Sequence, residues 1–463
     1  MYYIPENLDL DYFIKNYPPI SIKTFKKTKM LYILDLITTI PVYNKGLLLV
    51  NDFVPINAQL LQKKVRNYNQ YLDYLVNLNI VEVNKQYLPG LKSRSYKYSK
   101  QFSTKVVAIS IIQKTKKITH NKHSKFRLSK TQMEDYNHLI KWYNECLQID
   151  IESAQKHILN EYFVKSEKIK SGFDKSPLLQ YNSSKVSIEK ISAGALQLNI
   201  DDFGYRLHTN LTNLKSELRN LLTYNGLQLV SIDIVNSQPY MSTLLFNSSF
   251  WELPSHHNVL THNSIGLSIT NIFNKYTTCL FIMLCKKAES SINSDLHKYL
   301  EIVQNGIFYE YMAEHSNINI DNRKQVKAAM FQVLFTDNHF INQKEAAPKR
   351  LFKELFPDVY KFFSLLKQKE KNNMPMLLQR IESHVILLTI TKRIANENPN
   401  LPIFTIHDSI VTTKGNESYI QNVMEEEMTR IFGFPPQLTV STWKPENLLI
   451  GEGKADRQEH IAA

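Results

Sequence analysis

Residues 227–239 read LQLVSIDIVNSQP, and residues 402–413 read PIFTIHDSIVTT. Each is a short apolar run, rich in β-branched residues and bounded by turn formers, which predicts a strand. The first carries Asp233 near its end, with Pro239 placed where a helix can begin. In the second, Phe404 and Ile406 precede His407-Asp408, and Ile410 and Val411 follow. That pattern predicts a β-hairpin with His407-Asp408 at its tip. If the two strands pair, the carboxylates converge. Two carboxylates so placed repel unless one keeps a proton or a cation joins them, and Mg²⁺ takes oxygen ligands of this type. A pair of such ions serves phosphoryl displacement, so the two aspartates point to making or breaking phosphodiesters. Either one alone reads as an ordinary strand-end or turn residue.

Between them lies DNRKQVKAAMFQVLF, residues 321–335, with Arg323, Lys327, Phe331 and Phe335 at steps of four along one helical face. Cations beside aromatic rings on such a face can grip a triphosphate while the rings stack under base and sugar. Taken alone it also reads as an ordinary amphipathic helix. The whole chain has 463 residues, room for several domains, and a formal charge of +13 from 56 Lys plus Arg against 43 Asp plus Glu. Such an excess suits a polyanion, nucleic acid first, or merely a basic surface. Cys146, Cys279 and Cys285 are too dispersed for a zinc knuckle and leave one thiol over in any disulfide scheme, which fits a reducing compartment. With acids early in the N-terminus and no apolar run near ~20 residues, the chain reads as soluble, cytoplasmic and without a membrane partner.

Towards the N-terminus, INAQLLQKKV from Ile56, RNYNQYLDYLVNLNIVEV from Arg66 and NKQYLPGLKSRSYKYS from Asn84 predict helix, helix and hairpin, the order of a winged helix. Tyr71, Leu72, Leu75, Leu78 and Ile80 form its apolar stripe, and Pro89-Gly90 its wing tip. Lys92, Arg94 and Lys97 on the wing suit phosphate contacts, and a protein-docking module with solvated lysines is the other reading. From Lys105 to Lys130 the chain turns basic and polar, as a linker or a nucleic-acid-facing arm. A pair of helices is predicted from 130 to 169, and a loop from Gly172 to Ser184. The expected organisation is 1–105 as N-terminal segment and winged helix, 106–200 as basic linker and helical thumb, and 201–463 as palm and fingers.

The three central segments, in this order, resemble the palm and fingers shared by family A DNA polymerases and bacteriophage-type single-subunit RNA polymerases. DIVNSQP from Asp233 is similar to the first carboxylate motif. Arg323-x3-Lys327-x7-Phe335 has the spacing of the nucleotide-binding helix, and His407-Asp408-Ser409 is similar to the second carboxylate motif in its serine-ending form. GYRLHTNLTNLKSELR from Gly204 resembles a further family stretch, and NNMPMLLQRIESHVI from Asn372 a weaker one. The resemblance covers roughly residues 200 to 446. It implies an α+β right-hand polymerase: a palm sheet bearing both aspartates, helical fingers from about 250 to 356, and a helical thumb from 130 to 170. It also implies that Asp233, the Ile234 carbonyl and Asp408 bind two Mg²⁺ ions, with Mn²⁺ as a substitute. Arg323 and Lys327 would hold the triphosphate, and Lys327 would protonate the leaving pyrophosphate. Phe331, Phe335 and Gln238 would shape the base and sugar pocket. Arg206, with Thr209 and Asn213 after it, and Gln379 and His407 would face the template-primer.

The departures bear on the sugar. Where the DNA polymerases have glutamate this chain has Gln238, bulky enough to gate against a 2′-hydroxyl. Where both groups have tyrosine it has Phe335, which lacks the hydroxyl used in ribose recognition. The serine of His407-Asp408-Ser409 leans the other way. The favoured reading is a template-dependent DNA polymerase taking dNTPs on a DNA template-primer, in mobile-element, phage or plasmid replication. RNA as template or product with NTPs, a primase, untemplated tailing, a nuclease, and an inactive-palm winged-helix replication factor are the alternatives. Asp150-Ile151-Glu152 mimics an exonuclease motif but falls in a helical pattern, so proofreading is not expected.

Overall fold

The computed structural model describes residues 1–44, 47–86, 93–110, 125–167, 175–252, 260–273, 275–290, 295–316 and 323–448. Strand β1 (Tyr2–Pro5) is followed by helix Lys27–Tyr43, strand β2 (Val54–Pro55), helices Ala58–Lys64 and Tyr68–Asn77, and strands β3 (Val81–Asn84) and β4 (Ser95–Tyr98). Asn57 starts the helix Ala58–Lys64 by accepting a hydrogen bond from the Leu60 amide at 3.1 Å. The stripe Tyr71, Leu72 and Leu75 is buried, in one core with Met30, Leu31, Ile33, Leu34 and Ile37 of the long helix. Strand β4 lies between β2 and β3 and is antiparallel to both. Pro89-Gly90 and Lys92 lie outside the described residues.

Strand β5 (Val106–Ile109) returns to pair antiparallel with β1, Tyr3 opposite Ala108. Asn182 ties the same segment down, accepting from the Val106 amide and donating to the Thr104 carbonyl. Strand β6 (Lys125–Arg127) leads to helical turns Lys130–Asp135 and Asn137–Ile140, strand β7 (Leu147–Ile149) and helix Ile151–Ser166. The expected pair of helices is therefore interrupted by a strand. Leu147 and Ile149 alternate with exposed Gln148, and Asp150 stops the strand by capping the helix, accepting from the Ser153 amide at 3.1 Å. The predicted loop to Ser184 is also corrected: a helix runs Pro177–Ser192, started by Ser176, which accepts from the Leu179 amide, and by proline in its first turn.

Strands β8 (Gln197–Ile200) and β9 (Leu207–Thr209) join β6, and β10 (Leu222–Tyr224) turns through Asn225-Gly226 into β11 (Leu227–Ile234). Near the C-terminus come β12 (Ile403–Ile406), β13 (Ser409–Thr413) and β14 (Leu438–Thr442). These build a six-stranded sheet in the order β12-β13-β11-β10-β7, with β14 also on β11. All of its pairings are antiparallel, and β11 is central. Its position explains its composition: Leu229, Val230 and Ile232 are fully buried between layers. Between β11 and β12 the chain is helical, including Lys275–Ser290, Asp295–Gln304, Arg323–Phe335 and Pro357–Leu366. Edge-on and stacked rings of Phe246, Tyr299, Phe352, Phe356 and Phe363 fill the space between these helices. Before β12, helix Asn373–Ser383 passes through a π-helical segment, His384–Ile390, into Thr391–Glu397, and helix Glu417–Phe432 follows β13.

Candidate active site

Register brings the two aspartates together. β11 and β13 pair with Asp233 opposite Ser409, so Asp408, the last residue of the β12–β13 turn, adjoins Asp233 across the ladder. The Asp233 carboxylate accepts from Ser231 Oγ at 2.9 Å and from Ser409 Oγ. Ser231 can reach because residues two apart on a strand share a face. Arg219, 8% exposed, adds a cation: burial lowers its pKa to about 10, and Asp233 partly offsets that. Asp408 lacks such compensation. Burial first, then the charges of Glu382 and Asp233, push its carboxyl up to about 7, against the pull of Lys327.

Lys327 comes from helix Arg323–Phe335. Its Nζ lies 5.7 Å from the Phe331 ring centroid, and Phe331 stacks on Phe335 at 5.2 Å. The spacing of four thus gives a cation and two rings in line, with the cation felt at Asp408. The Arg323 side chain lies outside the described residues. Buried lysines hold the far end of the helix: Lys367 donates to the Val333 carbonyl at 2.8 Å, and Lys349 to the Thr336 carbonyl at 3.3 Å and to that of Asp337. They satisfy C-terminal carbonyls that a helix cannot pair internally.

The loop after β8 is clamped to helix Asn373–Ser383. Asp201 accepts from the amides of Gly204 and Arg206 and faces His208 Nε2 at 3.0 Å. Burial acts to raise its pKa, but the His208 bond and the amides win and hold it at about 2. Arg380 donates to the carbonyls of Phe203 and Gly266 and lies 4.0 Å from the Tyr205 ring centroid. Gly204 abuts Gln379 so closely that an added Cβ would lie 2.4 Å from Gln379 Oε1. Arg206 forms a two-pronged pair with Glu382, Nε to Oε1 at 3.0 Å and Nη2 to Oε2 at 2.8 Å, and Gln238 Nε2 donates to the same Oε2 at 2.7 Å. His208 in turn meets His407, ring centroids 6.4 Å apart. Three non-glycine residues in left-handed backbone, Tyr205, Asn236 and His407, flank these groups, at φ of 56°, 54° and 55°. Such conformations are held only where surrounding structure demands them.

No protein-family model matches the chain, and no curated protein does. Among solved structures, the fold resembles the POL domain of Pol1 from M. smegmatis in complex with DNA primer-template and dNTP. The identity is 11%, the TM-score 0.40, and the match covers 67% of this chain and 70% of that one. At that score the likeness is general, and the chemistry has to be read from the residues themselves.

Of the residues singled out in the sequence, Asp408 adjoins Asp233, Lys327 acts on Asp408 and stands beside Phe331 and Phe335, Arg206 and Gln238 meet at Glu382, Gln379 abuts Gly204, and His407 meets His208. Thr209 and Asn213 are used locally instead. Thr209 is 1% exposed and its hydroxyl caps the turn Asn210–Asn213, accepting from the Leu211 amide, while Asn213 Nδ2 donates to the Thr209 carbonyl. Of the residues expected on a wing, Lys97 lies on β4 and pairs with Glu82 at 3.3 Å, Arg94 just before that strand is exposed, and Lys92 lies outside the described residues. Missed by the sequence were Glu382, Arg219, Ser231 and the role of Ser409. Within QRIESH, residues 379–384, Glu382 is one polar residue among several, and nothing local marked it out.

A divalent cation fits the donor set. Two carboxylates are hard oxygen donors, and Mg²⁺ is commonly held by one or two carboxylates with substrate phosphate and water completing the shell. Around them, buried Asn236 Nδ2 and Oδ1, Ser237 Oγ, Gln238 Oε1 and Thr439 Oγ1 find no hydrogen-bond partner among the described residues. Orphaned buried polar atoms on the residues that follow Asp233 and on its register partner Thr439 fit a site that is completed by a ligand. Among the described residues no group of three or more His, Cys, Asp or Glu gathers, consistent with Glu382 being engaged by Arg206 and Gln238.

Proposed function

We propose that this chain is a template-directed nucleotidyltransferase, a DNA polymerase of the palm-and-fingers kind that resembles family A. The observation that carries the proposal is the placement of Asp408, at the turn into β13, beside Asp233 on β11, with Lys327 acting on Asp408 from a helix whose Phe331 and Phe335 stack on each other. Asp233, Asp408 and the Ile234 carbonyl would hold Mg²⁺, which when bound supplies the charge for activating an attacking hydroxyl and balancing a leaving oxygen. Lys327, with Arg323, binds the triphosphate and donates the proton that pyrophosphate needs on departure. Phe331 and Phe335 offer the base and sugar an apolar platform. His407 and Gln379 orient the primer end. Ser231 and Ser409, donating to the Asp233 carboxylate, hold it in place while it does its work.

The N-terminal unit we read as a winged helix. Its helix Tyr68–Asn77 contains Asp73 but neither Lys nor Arg, which favours a protein partner over the major groove of DNA for that face. The test of the main proposal is extension of a primed and an unprimed template with Mg²⁺, giving dNTPs or NTPs separately, by wild type and by Asp408→Asn. Extension that requires Asp408 is expected. Equal activity of the two proteins, or none from wild type on any template, would sink it.

A further inference from the structure

Glu382 is 2% exposed and both of its oxygens are occupied, by the Arg206 fork and by Gln238. A counter-ion for Arg206 would need only the fork. The additional bond from Gln238 determines how that amide faces. An ionised carboxylate only accepts, so the NH₂ of Gln238 must be turned towards it, and the carbonyl oxygen turned away. That oxygen is the buried Oε1 that has no partner among the described residues. Gln238 lies in the first turn of helix Ser237–Thr243, shortly after β11 and on the segment that carries Asp233, and Glu382 is one of the charges acting on Asp408. Arg206–Glu382–Gln238 is therefore a row of mutually fixed side chains beside the carboxylate pair.

An unanchored glutamine has three side-chain torsions and yields readily to an incoming group. One tied at its tip to a buried carboxylate, itself held by a two-pronged arginine, can yield only by breaking a charge-assisted bond where water is scarce. We infer that Glu382 is a positioning residue that stiffens Gln238 against the sugar of the incoming nucleotide and thereby sets the choice between deoxyribo- and ribonucleotides. The inference rests on the nucleotide site proposed above. A sugar with a 2′-hydroxyl must displace the anchored amide, whereas a deoxyribose passes it.

The test is single-nucleotide insertion, measuring kcat/KM for a dNTP and the matching NTP in wild type, Glu382→Gln, Gln238→Met and the double variant. Gln238→Met keeps the bulk of the side chain, cannot donate to Glu382, and leaves the Arg206–Glu382 pair intact. Each single variant is expected to lower the dNTP:NTP ratio by about tenfold, the worth of one hydrogen bond to a charged group, through a fall in KM and a rise in kcat for the NTP. The double variant should lose no more than either single one. An unchanged ratio in Gln238→Met would overturn the inference, because bulk alone would then be the gate. Equal losses for both nucleotides in Glu382→Gln, or multiplying effects in the double variant, would overturn it too. If Glu382→Gln does not fold, as judged by its melting curve, Gln238→Met decides alone. A wild type that incorporates nucleotides while the variants keep its ratio defeats this inference only. A wild type as inert as Asp408→Asn defeats the proposed function along with it.

Discussion

In the N-terminal unit the ion pairs lie towards the surface and are single, as Lys27 with Asp11 at 2.6 Å and Lys97 with Glu82, and half-buried Asp35 is held by neutral donors, the Tyr3 amide and Thr39. Around the central sheet the charged side chains are buried or half-buried and depend on one another: Glu382 on Arg206 and Gln238, Asp233 on two serines and Arg219, and Asp408 on Lys327, which does not offset its burial and acidic neighbours. Exposed pairs contribute little to stability. Buried ones are costly to assemble unless something repays the desolvation, and a ligand of opposite charge does so. The excess of cations in the composition therefore says less about function than buried Glu382 and half-buried Asp233 and Asp408 do.

The largest effect that would sharpen this contrast is catalytic. Asp233→Asn or Asp408→Asn should lower the extension rate by about a thousandfold, as loss of several kcal/mol of transition-state stabilisation requires. Circular dichroism and melting should stay close to wild type. Retention of a tenth of the rate by either variant would place the chemistry elsewhere.

Next in size are the buried lysines behind helix Arg323–Phe335. Lys349→Met leaves the Thr336 and Asp337 carbonyls without their donor and should cost about 1–3 kcal/mol in denaturant unfolding. Lys367 differs in its pH response. Burial, and then Lys349, bring its pKa down to about 7. Between that value and the ordinary lysine range the unfolded chain carries a proton that the folded one has shed, so stability rises with pH through this window and levels off below it. Lys367→Met should flatten that rise, and a slope identical to wild type would contradict the assignment.

Asp408 gives a smaller and opposite signature. Because its carboxyl titrates near 7 without a bound cation, Mg²⁺ binding at pH 6 should release a larger fraction of a proton than at pH 8, seen by calorimetry in buffers of different ionisation heat. Equal release at both pH values would mean that the cation does not engage Asp408. At the bottom of the scale, Lys97→Ala in the N-terminal sheet should change stability by less than about 1 kcal/mol. A larger loss would show that the two regions are not as different as their burial implies.

Much of this was legible in the chain itself. Alternation and β-branching marked β11 and the β12–β13 hairpin, and the step of four marked Lys327, Phe331 and Phe335, because strand and helix periods are local properties of the backbone. What local patterns could not reveal was partnership. Glu382 lies 176 residues from Arg206 and 144 from Gln238, and Ser409 lies 176 from Asp233. The strand β7 was lost inside a segment that reads as helix, since three residues are too few to show a period and only its place beside β10 makes it a strand. Residue types and spacing alone determined which side chains could do phosphoryl chemistry. Only the tertiary structure decided which carboxylate is anchored, which is crowded and which is spent on a neighbour, because ionisation and hydrogen bonding depend on burial and distance between segments that the linear order keeps far apart.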